Sequence, residues 1–273
     1  MILDFLCFII LGFIQGITEP IPVSSSGHLL IFQNLIGKGI PEIDFGLLAT
    51  LTNAGSLIAI MILFKDDILN LIHDFFGYIG SKKKTYYPNF KYSLYIIIAT
   101  IPAGIMGLLV TKLGFFDFLE ENVKFVGITL LITAFFLFLI RNIKGQKEKK
   151  DISIIDALIV GLFQVVALVP GISRSGATIV GGMTRNFTRE TAFKFSFILY
   201  IPISIATMIL GIKDLFESSL TLNLWICYIA SATIAFIFTY IATKWFKRIV
   251  EKGNLIYFVW YCLLVGILVI LFL

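Results

Sequence analysis

Two short stretches hold most of the polar residues able to do chemistry. The first carries Gln15, Glu19, Ser24, Ser25, Ser26 and His28; the second carries Ser173, Arg174, Ser175 and Thr178. Gly171-Ile172-Ser173-Arg174 opens a short helix, whose free N–H groups and positive end attract an anion. The planar guanidinium of Arg174 can grip two phosphate oxygens at once. Thr178 lies three residues from Ser175 and four from Arg174, so the three share one helical face. In the first stretch Ser25 and His28 are three apart, and a hydroxyl beside an imidazole serves nucleophilic or acid–base chemistry. Glu19 suits either a hard divalent cation or the role of a base. Together these residues read as a phosphate site. A plainer reading makes Glu19 and Arg174 a structural ion pair, but it leaves five serines, a threonine and a histidine unexplained. Ser24 and Ser173 also read as helix N-caps.

The elements that position these residues follow from composition. Hydrophobic residues are 58% of the 273-residue chain and charged residues 14%, against about 25% charged in a soluble domain. Mean hydropathy is +0.96. A soluble enzyme, a disordered chain and a nucleic-acid binder are excluded, although the net charge is +5. The fold class is an all-α polytopic membrane protein. Apolar spans of crossing length run roughly over 44–64, 92–112, 123–140, 191–212, 222–243 and 255–273. Residues 2–18 and 25–36 flank the first polar stretch, and 152–169 and 173–184 flank the second. Each of these runs is short, and each pair is joined by proline-containing polar sequence. Such backbone survives at membrane depth only inside protein or beside a wet cavity, so both pairs are read as re-entrant.

Charge sets the orientation. Seventeen of the 22 Lys and Arg fall in 65–91, 141–151, 185–194 and 244–254. Only Lys38, Lys112, Lys124 and Lys213 fall on the other side, and Arg174 is left inside the membrane. The positive-inside rule then puts the basic segments in the cytoplasm and both termini outside. Full crossings in place of the re-entrant pairs keep the same parity, so the charge supports the orientation and not the re-entrance. The lysine runs 82–84 and 147–150 read as topogenic charge, and His73 as a surface residue. Cys7, Cys227 and Cys262 sit in apolar runs and read as inert fillers. The N-terminal apolar stretch lacks a basic leader and is not read as a signal peptide. Asn53 falls in mid-span and is left out of the site.

An internal repeat organises the chain. A shift of 149 matches Gly12/Gly161, Gln15/Gln164, Ser24/Ser173, Ser26/Ser175 and Gly27/Gly176. A shift of 148 matches Ser56/Ser204, and 132–133 matches Thr111/Thr243, Phe125/Phe258 and Val126/Val259. Each half holds one re-entrant pair and three transmembrane helices. An odd number of crossings turns the second copy upside down, giving two inverted-topology repeats. The expected division is 1–140, a basic linker 141–151, and 152–273, with the two polar tips meeting inside the membrane.

The run Gln15-xxx-Glu19-Pro-xx-Val-Ser-Ser-Ser-Gly-His28, with Pro170-Gly-x-Ser-Arg-Ser-Gly-Ala-Thr178, closely resembles the two signature motifs of the undecaprenyl-diphosphate phosphatase family, also called bacitracin-resistance proteins. The resemblance extends over the whole chain. It implies a plasma-membrane enzyme that converts a C55-type polyprenyl diphosphate to the monophosphate carrier for cell-envelope synthesis. It also implies a site open to the outer face and a need for Mg²⁺ or Ca²⁺. By motif position Glu19, Ser25, His28 and Arg174 become the central residues. Ser24, Ser26, Ser173, Ser175 and Thr178 then line the phosphate site, and Glu19, with Gln15, becomes the metal candidate. The family's Glu-or-Gln position is Gln15 here, which leaves one carboxylate in the first motif. The expected partners are the lipid substrate and the bilayer, with no nucleic acid. The competing reading is a transporter or flippase of a polyprenyl phosphate lipid, since inverted repeats with re-entrant tips are transporter architecture. The set Ser25, His28 and Glu19 separates the two, because binding alone does not require it.

Overall fold

A computed structural model describes residues 2–36, 43–113, 122–217 and 220–273. Lys38, one of the few charges expected on the outer side, lies outside the described residues. With no water to pair a backbone amide, an apolar chain in lipid must satisfy its hydrogen bonds within each segment. The described residues are accordingly almost all helical. They form α1 Ile2–Thr18, α2 Ser25–Ile36, α3 Phe45–Leu63, α4 Lys65–Ser81, α5 Tyr87–Lys112 and α6 Val123–Ile140. After a 3₁₀ turn at Lys149–Asp151 come α7 Ile154–Val166, α8 Arg174–Thr184, α9 Arg189–Glu217, α10 Leu222–Lys252 and α11 Ile256–Phe272.

Helices α3, α5, α6, α9 and α10 are long and apolar enough to cross a membrane, while α1, α7 and α11 are shorter apolar helices. All six expected spans are helical. Two differences stand out. α10 runs on to Lys252 before Gly253 ends it in the left-handed region, because basic residues at its end do not break a helix. The segment after Phe64, read from sequence as a basic loop, holds α4. This helix turns Leu69, Ile72, Phe76 and Ile79 outward as one stripe, the pattern of a helix lying in a membrane surface.

The molecule is apolar outside and carries polar groups inside. Trp260, Leu264 and Leu271 are exposed, whereas Thr52, Ser56, Thr129, Thr133 and Thr239 are buried. Helices close on one another through small residues, as lipid-embedded helices do. α1 meets α10 where a Cβ on Gly12 would stand 2.3 Å from the Ser231 carbonyl oxygen. α7 meets α5 where a Cβ on Gly161 would stand 2.6 Å from the Ala99 carbonyl oxygen. The three cysteines are free and buried.

Candidate active site

Two chain reversals build the site. α1 ends at Thr18, the chain turns through Glu19–Ser24, and α2 starts at Ser25. Ser24 has φ +69° and its Oγ accepts from the Gly27 N–H at 3.2 Å, so it closes the turn and caps α2. The second tip repeats the device: Ser173 caps α8 by accepting from the Gly176 N–H at 3.1 Å. The N-cap readings of both serines agree with this geometry.

The irregular backbone at each tip is held from outside. Thr129 of α6 donates to the Pro170 carbonyl at 2.9 Å, and Thr133 donates to the Gly171 carbonyl at 3.4 Å. Gly171 has φ +88°, and a Cβ there would collide with Thr129 Oγ1 at 1.9 Å. The first tip is held by α11, where the Cys262 thiol donates to the Pro22 carbonyl at 3.7 Å. The tips also touch directly. A Cβ on Gly27 would lie 3.0 Å from Gly171 Cα, and one on Gly176 would lie 3.2 Å from Pro22 Cβ.

Where the tips meet, Glu19 and Arg174 form an ion pair, Arg174 Nη2 donating to Glu19 Oε1. Ser25 Oγ donates to Glu19 Oε2 at 2.5 Å, and Gln15 Nε2 donates to the same oxygen at 2.9 Å. Both carboxylate oxygens are therefore engaged, and the Glu19 side chain is only 5% exposed. The guanidinium is further fixed by donating from Nη1 to Ser204 Oγ at 3.1 Å and by stacking 4.2 Å above the Tyr200 ring. Tyr200 in turn donates to Asn53 Oδ1 at 2.8 Å. Arg174 keeps 26% of its side chain exposed, facing a cavity of about 930 Å³. The rim nearest the pair carries Gln15, Ser24, Ser25, Ser26 and Ser173, and the far wall is apolar, with Ile101, Ile105 and Leu108 of α5 and Ile209 and Leu210 of α9.

The structure does not bring His28 to Ser25. Its Nδ1 faces the Ser24 carbonyl at 2.7 Å, which can only accept, so Nδ1 carries the proton. Nε2 then accepts from the Tyr261 hydroxyl at 2.8 Å, and the two rings stack. The partner that Ser25 finds is Glu19. Thr178 also faces away, with its hydroxyl 2.6 Å from Ser196 Oγ and 2.9 Å from the Arg174 carbonyl, to which it donates. Ser175 donates to the Ile21 carbonyl at 3.3 Å and so ties the tips together. Sequence reasoning missed Tyr200 and Ser204, and it left Asn53 out of the site although it had marked that residue in mid-span. The Ser56/Ser204 repeat match was the one signal pointing to either of the first two.

Among the described residues no three His, Cys, Asp or Glu side chains cluster as an all-protein metal cage. Glu19 and Gln15, joined by a hydrogen bond on the cavity rim, fit a different arrangement. Mg²⁺ is commonly held by one or two carboxylates, with the remaining ligands from substrate phosphates and water.

Comparison with known proteins adds an independent line. Residues 8–268 match the family described as bacitracin resistance protein BacA. An undecaprenyl-diphosphatase 2 of Bacillus thuringiensis (strain Al Hakam) is 45% identical over 269 residues, covering 97% of each chain. An undecaprenyl-diphosphatase 1 of Bacillus licheniformis is 45% identical over 278 residues, covering 99% of this chain and all of the relative. An undecaprenyl-diphosphatase of Oceanobacillus iheyensis is 44% identical, covering 97% of this chain and 96% of its own.

Proposed function

The chain belongs to the BacA bacitracin-resistance family, and from that premise we infer that it is an integral membrane phosphatase hydrolysing undecaprenyl diphosphate to undecaprenyl phosphate and inorganic phosphate. The monophosphate is the lipid carrier reused in cell-wall synthesis. The observation that carries the reading is the Ser25–Glu19–Arg174 chain of contacts at the polar rim of a cavity whose far wall is apolar. Headgroup and isoprenoid each find a matching surface there.

In the proposed reaction Ser25 Oγ attacks the terminal phosphorus and gives its proton to Glu19 Oε2. The bond from that phosphorus to the bridging oxygen breaks, and undecaprenyl phosphate leaves. Water then attacks the phosphoserine, returning the proton to Ser25 and releasing phosphate. Charge in such a transfer spreads over the equatorial oxygens, which a guanidinium can bridge. Arg174 stands at the first turn of α8, where the helix N-terminus adds to the attraction. Protonation of Glu19 also removes the charge opposing Arg174, which frees the guanidinium for the phosphoryl group as bond breaking proceeds. His28 positions the first tip through Ser24 and Tyr261, while Ser24, Ser26 and Ser173 shape the phosphate rim, Ser175 ties the tips together and Thr178 braces α8. Glu19, while ionised, and Gln15 would hold a divalent ion, Mg²⁺ or Ca²⁺. When bound, such an ion neutralises diphosphate charge.

The architecture in this reading is two inverted repeats, 1–140 and 152–273, joined by the linker 141–151 into one membrane domain. Reciprocal contacts support it. The Gly12–Ser231 and Gly161–Ala99 approaches correspond at shifts of 149 and 132. So do Gly27–Gly171 and Gly176–Pro22 at a shift of 149. The third span of each half grips the other half's tip, through Thr129 and Cys262, which correspond at a shift of 133. The basic segments then face the cytoplasm, both termini lie outside, and the cavity opens to the outer face. The last point is supported by the apolar wall, which uses the ends of α5 and α9 remote from the basic segments.

Purified protein in detergent should release phosphate from undecaprenyl diphosphate, and Ser25→Ala should reduce turnover by orders of magnitude with little change in lipid binding. Near-normal turnover in Ser25→Ala would assign the attack to water and leave the serine a phosphate ligand.

A further inference from the structure

Among the described residues, three buried side-chain polar atoms have no hydrogen-bond partner: Nε2 and Oε1 of Gln164 and Oγ of Ser231. Ser231 packs against Gly12 at the α1–α10 crossing, where a hydroxyl can turn back on its own helix. Gln164 is different. It is 1% exposed, lies in the last turn of α7, and borders the same cavity as Arg174. A buried amide with neither its donors nor its acceptor paired within the protein calls for a partner from the cavity.

The register of the first half shows what is missing. Gln15, its match at a shift of 149, donates to Glu19. Four residues beyond Gln164 stands Leu168, which offers nothing to an amide. The second half has kept the amide and lacks its carboxylate partner. Ser173, Leu168 and Thr100 border the cavity with Gln164, so the amide sits where the polar rim gives way to the apolar wall.

We propose that Gln164 marks a second phosphate subsite, which holds the lipid-bearing phosphate of the diphosphate while Ser25, Glu19 and Arg174 act on the terminal one. This rests on the undecaprenyl-diphosphatase reading. A diphosphate lipid with its terminal phosphorus at Ser25 and its chain along α5 must place the inner phosphate between them. That phosphate carries a single negative charge, so a neutral donor serves where a second arginine is absent. Turned into the cavity from its covered position, Nε2 donates to one of the phosphate's non-bridging oxygens, and Oε1 accepts from water that enters with the headgroup. The contact survives bond breaking, because the inner phosphate leaves with the lipid. Gln164 therefore governs affinity for the lipid monophosphate as well as the diphosphate, and not for inorganic phosphate.

The test is Gln164→Leu in the full-length protein. A hydrogen bond to a charged group corresponds to roughly 10- to 100-fold in affinity. KM for undecaprenyl diphosphate and the inhibition constant of undecaprenyl phosphate should both rise by about that factor. Inhibition by inorganic phosphate should stay as it is, and the lipid-free protein should be as heat-stable as the wild type or more so. Unchanged constants, or lost stability with unchanged constants, would overturn the proposal and make the amide structural. If Gln164→Leu does not fold, Gln164→Glu retains the shape, and its KM should climb with pH as the carboxyl ionises against the phosphate. A KM profile matching the wild type would overturn the proposal equally. Wild-type protein that releases no phosphate would instead defeat the underlying reading.

Discussion

Glu19 and Arg174, 155 residues apart in sequence, form one ion pair across the contact between two chain reversals. Neither charge is free in the resting molecule. Glu19 is also the acceptor for Ser25, so the pair that joins the two tips is coupled to the Ser25 hydroxyl.

Arg174 is therefore expected to be the least replaceable residue. Arg174→Ala should lower turnover about 10²- to 10³-fold, the cost of losing a charge-stabilising donor in a water-poor site. Arg174→Lys should recover only a small part, because an ammonium cannot bridge two oxygens. Steady-state rates with thermal melting check this. Wild-type turnover in Arg174→Lys would refute the role. Loss of expression, restored by adding Glu19→Gln, would reduce the pair to a structural one.

The metal question is open to direct measurement. Chelation should abolish turnover, and Mg²⁺ or Ca²⁺ should restore it. Glu19→Gln should be inactive yet folded. Gln15→Glu supplies a second carboxylate and should lower the Mg²⁺ concentration giving half-maximal rate. Full activity in excess chelator would leave Glu19 as a base alone.

His28 is expected to act through position. Tyr261→Phe removes the hydroxyl that its Nε2 accepts from and should reproduce part of the His28→Ala defect. Both should lower kcat without moving the pH profile. A profile that loses a limb in His28→Ala would show the imidazole exchanging protons in the reaction.

Orientation can be tested by labelling. Single cysteines placed at Lys83 and Lys147 should react with an impermeant reagent only from the cytoplasmic side. Labelling at these positions in intact cells would overturn the assignment.

Asp156, at the head of α7, anchors the basic segments. It accepts from Lys147 at 2.8 Å and Arg185 at 2.7 Å, with Ser153 as a further donor. Burial penalises the carboxylate, but hydrogen bonds from Lys147, Ser153 and Arg185 outweigh it and hold the pKa at about 2, below the ordinary 3.8. The stability it contributes is thus full above about pH 4 and is lost as pH falls toward 2. Asp156→Ala should cost about 3 kcal/mol near neutrality, and its melting deficit should shrink below pH 4. A deficit that does not vary with pH would contradict this.

Much of this was legible in the sequence because membrane burial is demanding. Spans must be long and apolar, which located the five helices of crossing length and the shorter α11, and buried polar runs must have a reason, which located both tips. α4 was not legible because its basic flank reads as loop; only the outward stripe from Leu69 to Ile79 distinguishes it. The pairing of Ser25 was not legible either. Helical spacing put it with His28, but Ser24 at φ +69° turns the chain so that its carbonyl captures the imidazole. Tyr200, Ser204 and Asn53 are single polar residues inside apolar spans, and their partners come from other helices.

The matched register has a consequence for descent. A shift of 149 superposes Ser25 on Arg174, each the first residue of its short helix, and Glu19 on Leu168. Two identical subunits would carry the same side chain at both places, either two hydroxyls or two guanidinium groups, never one of each. On the repeat reading proposed above, the division of labour between an attacking group and a charge-binding group would thus become available only after the two copies had diverged. Each half alone holds one member of that division, so the halves expressed as separate chains should regain activity only when both are present.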